Sequence, residues 1–539
     1  MSGYGIGWRA RAWPGVAAAL GALVACAASG CAGAAPVRHP AQGTGLVVAT
    51  SDGAVRGTTS GAATEEFLGI PYAAPPVGQL RWRPPQPAAR WHGVRQATRF
   101  GPHCPQQAAS GFGVPSTSED CLYLNVFAPA GGARGTRRLP VMVWIHGGSL
   151  ISGESDDYDP AGLVRDGVIV VTINYRLGAL GFLAHPALAS RPGGPSGNYG
   201  LEDQQAALRW VQSNIAVFGG DPHDVTIFGE SAGGLSVLAQ LASPGARGLF
   251  TRAIVESGTY DLTQVPLARA EAAGKAFAAD AGCPAQTAAC LRSLPVSALL
   301  DINDPAVAQL DIDGQVLTRS LPAAFASGQF NRVPVINGAN HDEGRLDVAE
   351  SGLNGAPVTA ANYLGMIASM LGVSARAAAV VAARYPLSAY PSPPVALGAV
   401  HTDSIGACTA LTADQWLSRY VPTYAYEFND EHAPELFLPP VSFPYGATHE
   451  SEIQYLLGLP TAAFPAGLSP PQQQLAAAMK QYWTSFAARG SPSWPAGPPW
   501  PLFNNGSHRV LSLIPPRPRI ETSVAADHHC AFWAAFRPG

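Results

Sequence analysis

The residues best suited to chemistry are those of the segment from Gly229 to Gly233, which reads Gly-Glu-Ser-Ala-Gly. A short apolar run, Val225 to Phe228, leads into it, and the apolar residues from Leu235 to Leu241 beyond it have helical spacing. The sequence therefore predicts a strand, a sharp turn and a helix, with a G-x-S-x-G motif at the turn. Glycines fit this turn because side chains two residues either side of Ser231 would collide with neighbouring backbone. The pattern is typical of a nucleophile elbow.

A serine hydroxyl is too weak an acid to attack a carbonyl carbon unaided. A histidine must take its proton, a carboxylate must orient that histidine, and N–H groups must bind the oxyanion that forms. Short motifs of this kind occur by chance in many proteins, so Ser231 alone does not identify an enzyme. The rest of the chain has to supply the base, the acid and the donors.

Strands and helices alternate around the motif. Val168 to Ile173 is apolar on both faces, which is typical of a parallel strand covered by helices on both sides. Leu139 to Ile145 is another apolar run, and it ends in a glycine turn. Asn198 to Val211 has helical spacing, and a helical pattern dominates from Pro357 to about Ser418. The expected fold class is α/β, with a central, mostly parallel twisted sheet, helices on both faces and inserted helical segments.

Two further motifs make the fold more specific. Glu119 to Pro129 matches, residue for residue, the second signature of type-B carboxylesterases, and Phe67 to Pro76 resembles their amino-terminal motif. The chain from about Gly45 to Trp533 is thus similar to bacterial para-nitrobenzyl-type esterases, liver carboxylesterases and cholinesterases. This resemblance implies an α/β-hydrolase fold, with residues 45–539 forming a single carboxylesterase domain. It also implies a structural ion pair between Arg81 and Glu119.

The resemblance supplies partners for Ser231 as the nucleophile. His449 lies in a G-x-x-H-x-x-E motif, whose histidine is the family's base. Glu343 matches the family's acid, which is a glutamate where most α/β-hydrolases have an aspartate; Asp342 is the alternative. The order Ser231, Glu343, His449 is that of the fold, whereas His146 precedes the serine. We expect activity to fall as the pH drops through about 6.5, the reference pKa of histidine.

The oxyanion donors are expected on two segments. The turn after Ile145 resembles the family's H-G-G-G loop, so the resemblance implies N–H donors at Gly148, Ser149 and Ala232. Here Ser149 replaces the third glycine. A serine keeps its N–H, but its side chain is predicted to narrow the region that holds the acyl or leaving group.

Other residues are expected around this site without taking part in the reaction. Gly147 and Glu230 neighbour the donors and the nucleophile, and Ser257 corresponds to a family serine behind the triad. Glu450 follows His449 directly, where the family usually has a small residue. A carboxylate there could raise the pKa of the histidine or face solvent, and the sequence leaves both open.

The amino-terminal segment is typical of an export signal, to which we assign residues 1–34, followed by a linker over 35–44. Two arginines precede an apolar run, Val16 to Ala28, that is too short for a confident membrane span. Leu-Val-Ala before Cys26 fits a lipoprotein signal, and Cys31 is a poorer fit. Plain cleavage after Ala34 is the alternative. Either reading predicts an exported chain, extracellular, periplasmic or held at the cell envelope by a lipidated cysteine.

Export would leave six cysteines in an oxidising setting, where disulfides persist. The resemblance implies the pairing of these six. The three expected disulfides are Cys104–Cys121, Cys283–Cys290 and Cys408–Cys530.

Composition narrows the possible functions. A net charge of −4 is too small to indicate a nucleic-acid partner, and hydrophobic residues, at 47%, provide for a large core. We expect no metal or organic cofactor.

The predicted function is hydrolysis of small to medium, fairly hydrophobic carboxylic esters. A cholinesterase-like or lipase-like hydrolase is the alternative, and a non-catalytic adhesion or binding protein on the same scaffold is a third possibility.

Overall fold

The computed structural model describes residues 46–537, except 62, 108–112, 132–136, 190, 192, 303 and 505. The predicted export signal, with Cys26 and Cys31, and the linker at 35–44 lie outside the described residues.

The described residues form sixteen strands. They are Val47–Ala49 (β1), Ala54–Arg56 (β2), Thr58–Ser60 (β3), Thr64–Pro71 (β4), Val94–Gln96 (β5), Tyr123–Pro129 (β6), Leu139–Ile145 (β7), Ile169–Ile173 (β8), Gly220–Glu230 (β9), Arg252–Glu256 (β10), Val265–Pro266 (β11), Asp311–Ile312 (β12), Val335–Asn340 (β13), Thr423–Phe428 (β14), Val510–Leu513 (β15) and Arg519–Glu521 (β16).

Seventeen α-helices accompany them over the same residues, and a π-helical segment, Thr402–Ala407, joins two of them. The α-helices are Ala161–Arg165 (α1), Gly178–Phe182 (α2), Tyr199–Asn214 (α3), Ala232–Ala242 (α4), Leu267–Asp280 (α5), Ala288–Ser293 (α6), Val296–Leu300 (α7), Leu321–Ser327 (α8), Arg345–Leu353 (α9), Tyr363–Leu371 (α10), Ala375–Arg384 (α11), Pro393–His401 (α12), Cys408–Leu417 (α13), Ile453–Leu456 (α14), Pro470–Arg489 (α15), Val524–Asp527 (α16) and Cys530–Ala535 (α17).

Eleven strands form one sheet, in the order β16-β15-β14-β13-β10-β9-β7-β8-β6-β4-β3. The strands from β15 to β8 in this order pair in parallel, and the pairs at both ends of the sheet are antiparallel. The α/β-hydrolase fold predicted from the sequence is confirmed. Because the central strands run the same way, the loops after β7, β9, β13 and β14 leave from one edge of the sheet.

The central strands are buried on both faces, and alternate side chains enter two different cores, as the period of a strand requires. In β7, Val143 packs in one core and Trp144 in the other. Helices α3 and α4 cover the first face, and α15 covers the second with a set of large apolar side chains. That set comprises Leu475, Met479, Trp483 and Phe486. This two-sided burial explains why the strand runs lack the alternation of a half-exposed sheet.

The helical region predicted between Pro357 and Ser418 is also present, as α10 to α13 with the π-helical segment between α12 and α13. Its apolar side chains form a separate core around Ile367, Val381 and Leu397. In the part of the chain that is described, no single helix is long and apolar enough to cross a membrane. Only the bent pair formed by Tyr363–Leu371 and 375–389 passes that test, by length and composition alone.

Covalent and ionic links tie these parts together. All three expected disulfides form, with Cα–Cα distances of 4.9 Å for Cys104–Cys121, 5.8 Å for Cys283–Cys290 and 5.2 Å for Cys408–Cys530. The predicted pair between Arg81 and Glu119 is present as a bidentate contact, with N–O distances of 2.6 and 2.5 Å. Arg81 also donates to the carbonyl of Leu294, so this pair links the amino-terminal segment to the region after α6.

Candidate active site

Ser231 lies at the turn between β9 and α4, as predicted, with φ 55° and ψ −121°. A non-glycine residue at positive φ is strained, and here the N–H of Ser231 is held by the Glu256 carbonyl at 2.9 Å. A Cβ at Gly229 would lie 2.5 Å from the carbonyl oxygen of Ile145, and one at Gly233 only 1.9 Å from it. The glycines of the motif are therefore required by the close approach of β7.

His449 and Glu343 come together from the loops after β14 and β13. The imidazole Nδ1 lies 2.5 Å from Glu343 Oε2, and the other oxygen of Glu343 accepts the N–H of Asn340 at 2.7 Å. Asp342, the alternative acid, instead contacts Arg345 and accepts the N–H of Ala447. The structure thus places Glu343, and not Asp342, against the histidine.

Asn340 is a site residue that the sequence reasoning missed. Its side-chain N–H group donates to the carbonyl of Thr448 at 2.7 Å and to Glu452 Oε2 at 2.5 Å. One side chain thereby fixes the segment that carries Glu343 to the segment that carries His449. The available signal was a polar residue at the carboxyl end of a buried strand, three residues before the acid.

The other nitrogen of His449 faces a second carboxylate. Nε2 lies 3.2 Å from Glu230 Oε1, and Glu230 also accepts the N–H of Glu450. Within the described residues, no hydrogen bond joins the hydroxyl of Ser231 to His449. Contacts of this kind are often loose in a site without substrate. The imidazole is thus held between two buried carboxylates, one of which, Glu230, directly precedes Ser231 in the chain.

These carboxylates change the electrostatics expected from the sequence. Burial by itself lowers the pKa of His449, but the charges of Glu230 and Glu343 outweigh it and raise this pKa well above 6.5. Burial raises the pKa of Glu230 well above its ordinary value, although the charge of His449 opposes this rise. Because the raised pKa keeps the imidazole protonated up to a higher pH, we now expect activity to fall as the pH drops through a value above about 6.5.

The loop after β7 lies against the nucleophile. A Cβ at Gly147 would be 3.2 Å from the Cβ of Ser231. Among the described residues, neither Gly148 nor Ser149 donates its backbone N–H to a hydrogen bond. Ala232 is the first residue of α4, so its N–H has no acceptor within the helix. The three expected donors are thus free to bind an oxyanion.

Ser149 has a backbone conformation suited to the glycine it replaces. Its φ is 54°, and those of Gly148 and Leu150 are 94° and 62°. Three successive residues in this region make a strained loop. Ser149 is exposed, and its predicted narrowing effect stays a prediction.

His146 and Ser257 support the site from behind. His146 is fully buried, and its ring stacks on Tyr175 with centroids 4.4 Å apart. Burial lowers the pKa of His146 to about 4, so this imidazole is neutral at ordinary pH. Ser257 follows β10 at φ 50°, and its N–H donates to the carbonyl of Gly338 at 3.0 Å. Both residues therefore fix the backbone beneath the elbow.

Glu450 also has positive φ, at 64°, where a small residue would be less strained. Burial, followed by the charge of Glu435, raises the pKa of Glu450 well above its ordinary value. Its carboxylate faces a small cavity that Glu435 also lines. The backbone N–H of Glu450, and not its carboxylate, donates the hydrogen bond to Glu230.

The chain is similar to known carboxylesterases over most of its length. The model of the carboxylesterase family matches residues 44–533. The chain is 37% identical to a fumonisin B1 esterase of Sphingopyxis macrogoltabida over 490 residues, which cover 87% of each protein. It is 35% identical to liver carboxylesterase 1 of Oryctolagus cuniculus, over 90% of this chain and 91% of the relative. Carboxylesterase 1F of Mus musculus is also 35% identical, with 81% and 84% covered.

Proposed function

This chain belongs to the carboxylesterase family and is a carboxylic-ester hydrolase, and we propose that it works through an acyl-enzyme on Ser231. The observation that carries this proposal is the contact of His449 with Glu343, 2.5 Å long, in a chain whose Ser231 lies on a strained elbow next to Glu230, the other carboxylate that His449 contacts. These are the base, the acid and the nucleophile that ester hydrolysis requires.

In the first half of the reaction, His449 takes the proton of the Ser231 hydroxyl, and the oxygen attacks the ester carbonyl carbon. The N–H groups of Gly148, Ser149 and Ala232 bind the oxyanion of the tetrahedral intermediate. The intermediate collapses when the bond to the alcohol oxygen breaks. The alcohol leaves with the proton from the imidazolium, and the acyl group stays on the serine oxygen.

In the second half, His449 takes a proton from a water molecule, and the resulting hydroxide attacks the acyl carbon. The bond to the serine oxygen breaks, the acid is released and the serine recovers its proton. Glu343 orients the imidazole through Nδ1 and stabilises its charged form in both halves. The charge of Glu230 at Nε2 stabilises the imidazolium as well.

A direct test compares hydrolysis of para-nitrophenyl butyrate by the wild-type protein and by Ser231→Ala. We expect the variant to lose at least about 10⁴-fold in kcat, as for other enzymes whose triad acts as a unit. Ser257→Ala is the matched control, because it removes a neighbouring serine hydroxyl that makes no hydrogen bond in the described structure. Equal losses in the two variants, or full activity of Ser231→Ala, would refute the assignment.

We propose small to medium hydrophobic esters as substrates. Support comes from the absence of Trp between Cys104 and Cys121, where cholinesterases hold a quaternary ammonium by cation–π contact. A panel of esters in which acyl and alcohol lengths vary separately tests this. A preference for acylcholines over uncharged esters of equal size would favour the cholinesterase-like alternative.

We also propose that the chain is exported. The three disulfides support this, since such bonds persist mainly in oxidising compartments. The mass of the mature amino terminus distinguishes the two routes: lipid on Cys26 or Cys31 identifies a lipoprotein, and an unmodified terminus near Ala34 identifies plain secretion. A full-length chain that remains in the cytoplasm would contradict both.

A further inference from the structure

A second group of titratable side chains lies near the site, and the proposed reaction does not use it. His341 follows β13, Glu427 lies in the adjacent strand β14, and His528 follows α16. Each offers one nitrogen or oxygen, and the three atoms lie within 4.8 Å of one another. Glu427 and His528 are buried, with side chains only 6% and 5% exposed. Residues from three distant segments therefore converge on one point.

Each of the two histidines has a carboxylate next to its Nδ1 atom. His528 Nδ1 lies 2.6 Å from Asp403 Oδ1, and His341 Nδ1 lies 3.2 Å from Asp342 Oδ1. Each imidazole thus has a carboxylate at Nδ1 and keeps Nε2 for another partner. Histidine ligands of metals typically have this arrangement, because the carboxylate fixes the ring and makes the ligating nitrogen more basic.

The Nε2 atoms differ in what they contact. That of His528 lies 2.7 Å from Glu427 Oε1. That of His341 makes no hydrogen bond within the described part of the chain, and its side chain is 34% exposed. The cluster therefore has a buried half, His528 with Glu427, and an accessible half at His341.

We propose that His341, Glu427 and His528 form a binding site for a divalent transition metal of the zinc class. Two imidazole nitrogens and one carboxylate are a zinc ligand set, and water would complete a tetrahedron. Zinc–ligand distances of about 2.0–2.1 Å place ligand atoms roughly 3.3 Å apart, so the contact of His528 Nε2 with Glu427 Oε1, now 2.7 Å, has to lengthen by about 0.6 Å and His341 has to approach by about 1–2 Å. The side chain of His341 is 34% exposed and lies on the turn that follows β13, which leaves room for its part of that movement.

Such a metal would stabilise the fold and would not take part in the hydrolysis of the ester. It would join the β13 turn, which continues into Glu343, to the carboxy-terminal segment that the disulfide Cys408–Cys530 also anchors. Its effect on the reaction would come through the position of Glu343. The site is independent of the proposed acyl-enzyme, because none of its three ligands contacts Ser231 or His449 in the described structure.

A proton is the competing occupant. Burial opposes a charge on His528, but the hydrogen bonds from Asp403 and Glu427 raise its pKa to about 10. An imidazolium between two carboxylates would account for the buried half of the cluster without any metal. It would leave the approach of a third donor, on His341, to within 4.8 Å of the other two without an explanation.

The test uses the full chain, freed of metal with a chelator and titrated with Zn²⁺ in a calorimeter. We expect one zinc per chain and a higher Tm after zinc is added. His341→Ala should weaken binding at least tenfold and abolish the rise in Tm. The matched control is His92→Ala, which removes an exposed histidine far from the cluster in sequence and should bind like the wild type.

His341→Gln provides a second variant that keeps a donor for Asp342, in case the alanine variant folds poorly. Co²⁺ serves as a spectroscopic probe, since a tetrahedral site with nitrogen ligands gives visible absorption bands that either variant should lose. Absence of stoichiometric binding in the wild type would overturn the proposal and identify the cluster as a protonated ion pair. Equal binding in wild type and both His341 variants would also overturn it.

Discussion

Two histidines in this molecule have similar carboxylate neighbours but different proposed roles. His449 lies between Glu343 at Nδ1 and Glu230 at Nε2, and His528 lies between Asp403 at Nδ1 and Glu427 at Nε2. In both cases the carboxylates raise the pKa of the imidazole against the effect of burial. A histidine between two acids is therefore not in itself a catalytic arrangement.

The difference lies in access and in neighbours. The side chain of His449 is 20% exposed and that of His528 only 5%. The contact of His449 with Glu230 brings it to the elbow that carries Ser231, whereas the ring of His528 lies 5.0 Å from that of His341. The same electrostatic unit is therefore proposed as a base in the first case and as part of a structural cluster in the second.

The sharpest test of this difference exchanges each histidine for glutamine. His449→Gln should lower kcat at least about 10⁴-fold, because the serine loses its base. His528→Gln should instead lower the free energy of unfolding by about 3–5 kcal/mol, since it removes the imidazole that pairs with the buried carboxylates of Asp403 and Glu427. Activity per folded molecule and urea unfolding distinguish the two effects. The contrast fails if His528→Gln costs as much in kcat as His449→Gln.

The structural role of the His528 region can be tested through its disulfide. Removing Cys408–Cys530, which closes a loop with a separation of 122 residues, should destabilise the protein by about 4–5 kcal/mol in the chain-entropy model. Removing Cys283–Cys290, with a separation of 7, should cost only about 2–3 kcal/mol. Denaturant unfolding of the two double-alanine variants measures both. Equal losses would show that loop closure does not govern this stability.

Glu230→Gln tests whether the second carboxylate tunes the base. The charge of Glu230 favours the imidazolium, so its removal should lower the pKa of His449. The rate would then begin to fall at a lower pH than in the wild type. Glu450→Gln is the control, because Glu450 raises the same pKa less than Glu230 does, and its shift should be smaller. An unchanged pH profile of kcat/KM for Glu230→Gln would contradict this role.

Substitution of Ser149 is expected to have the smallest effect, and it tests how bulky substrates reach His449. Ser149→Gly should stabilise the protein by about 1 kcal/mol or less, because glycine adopts positive φ without strain. It should also raise activity on bulky esters relative to short ones. Ser149→Ala separates the two effects, since it removes the hydroxyl and keeps the strain. An unchanged preference between short and bulky esters in both variants would refute the narrowing effect.

Local patterns were enough to predict much of the architecture and part of the site. The apolar runs of β7, β8 and β9 predicted buried strands, and the helical spacing after Ser231 predicted α4. The second family signature predicted the fold and the Arg81–Glu119 pair. Asn340 escaped the sequence reasoning because its function depends on a second loop, more than a hundred residues further along the chain.

Some expectations changed when side chains from different loops were brought together. The value near 6.5 is the reference pKa of an unperturbed histidine, whereas the charges of both Glu230 and Glu343 raise the pKa of His449. Glu450 was open between raising the pKa of His449 and facing solvent; its charge does help to raise that pKa, less than Glu230 and Glu343 do, and its backbone N–H donates to Glu230. Both outcomes depend on how the loop after β14 packs against the elbow.

The sequence by itself determined the strand and helix periodicity, the elbow glycines and the order of Ser231, Glu343 and His449, because each depends on neighbouring residues or on chain order. Only the tertiary structure decided that Glu343 and not Asp342 meets His449, that Glu230 closes the other side of the imidazole, and that His341, Glu427 and His528 converge. The physical reason is that such contacts depend on the relative positions of loops at one edge of the sheet. Sequence spacing does not specify those positions.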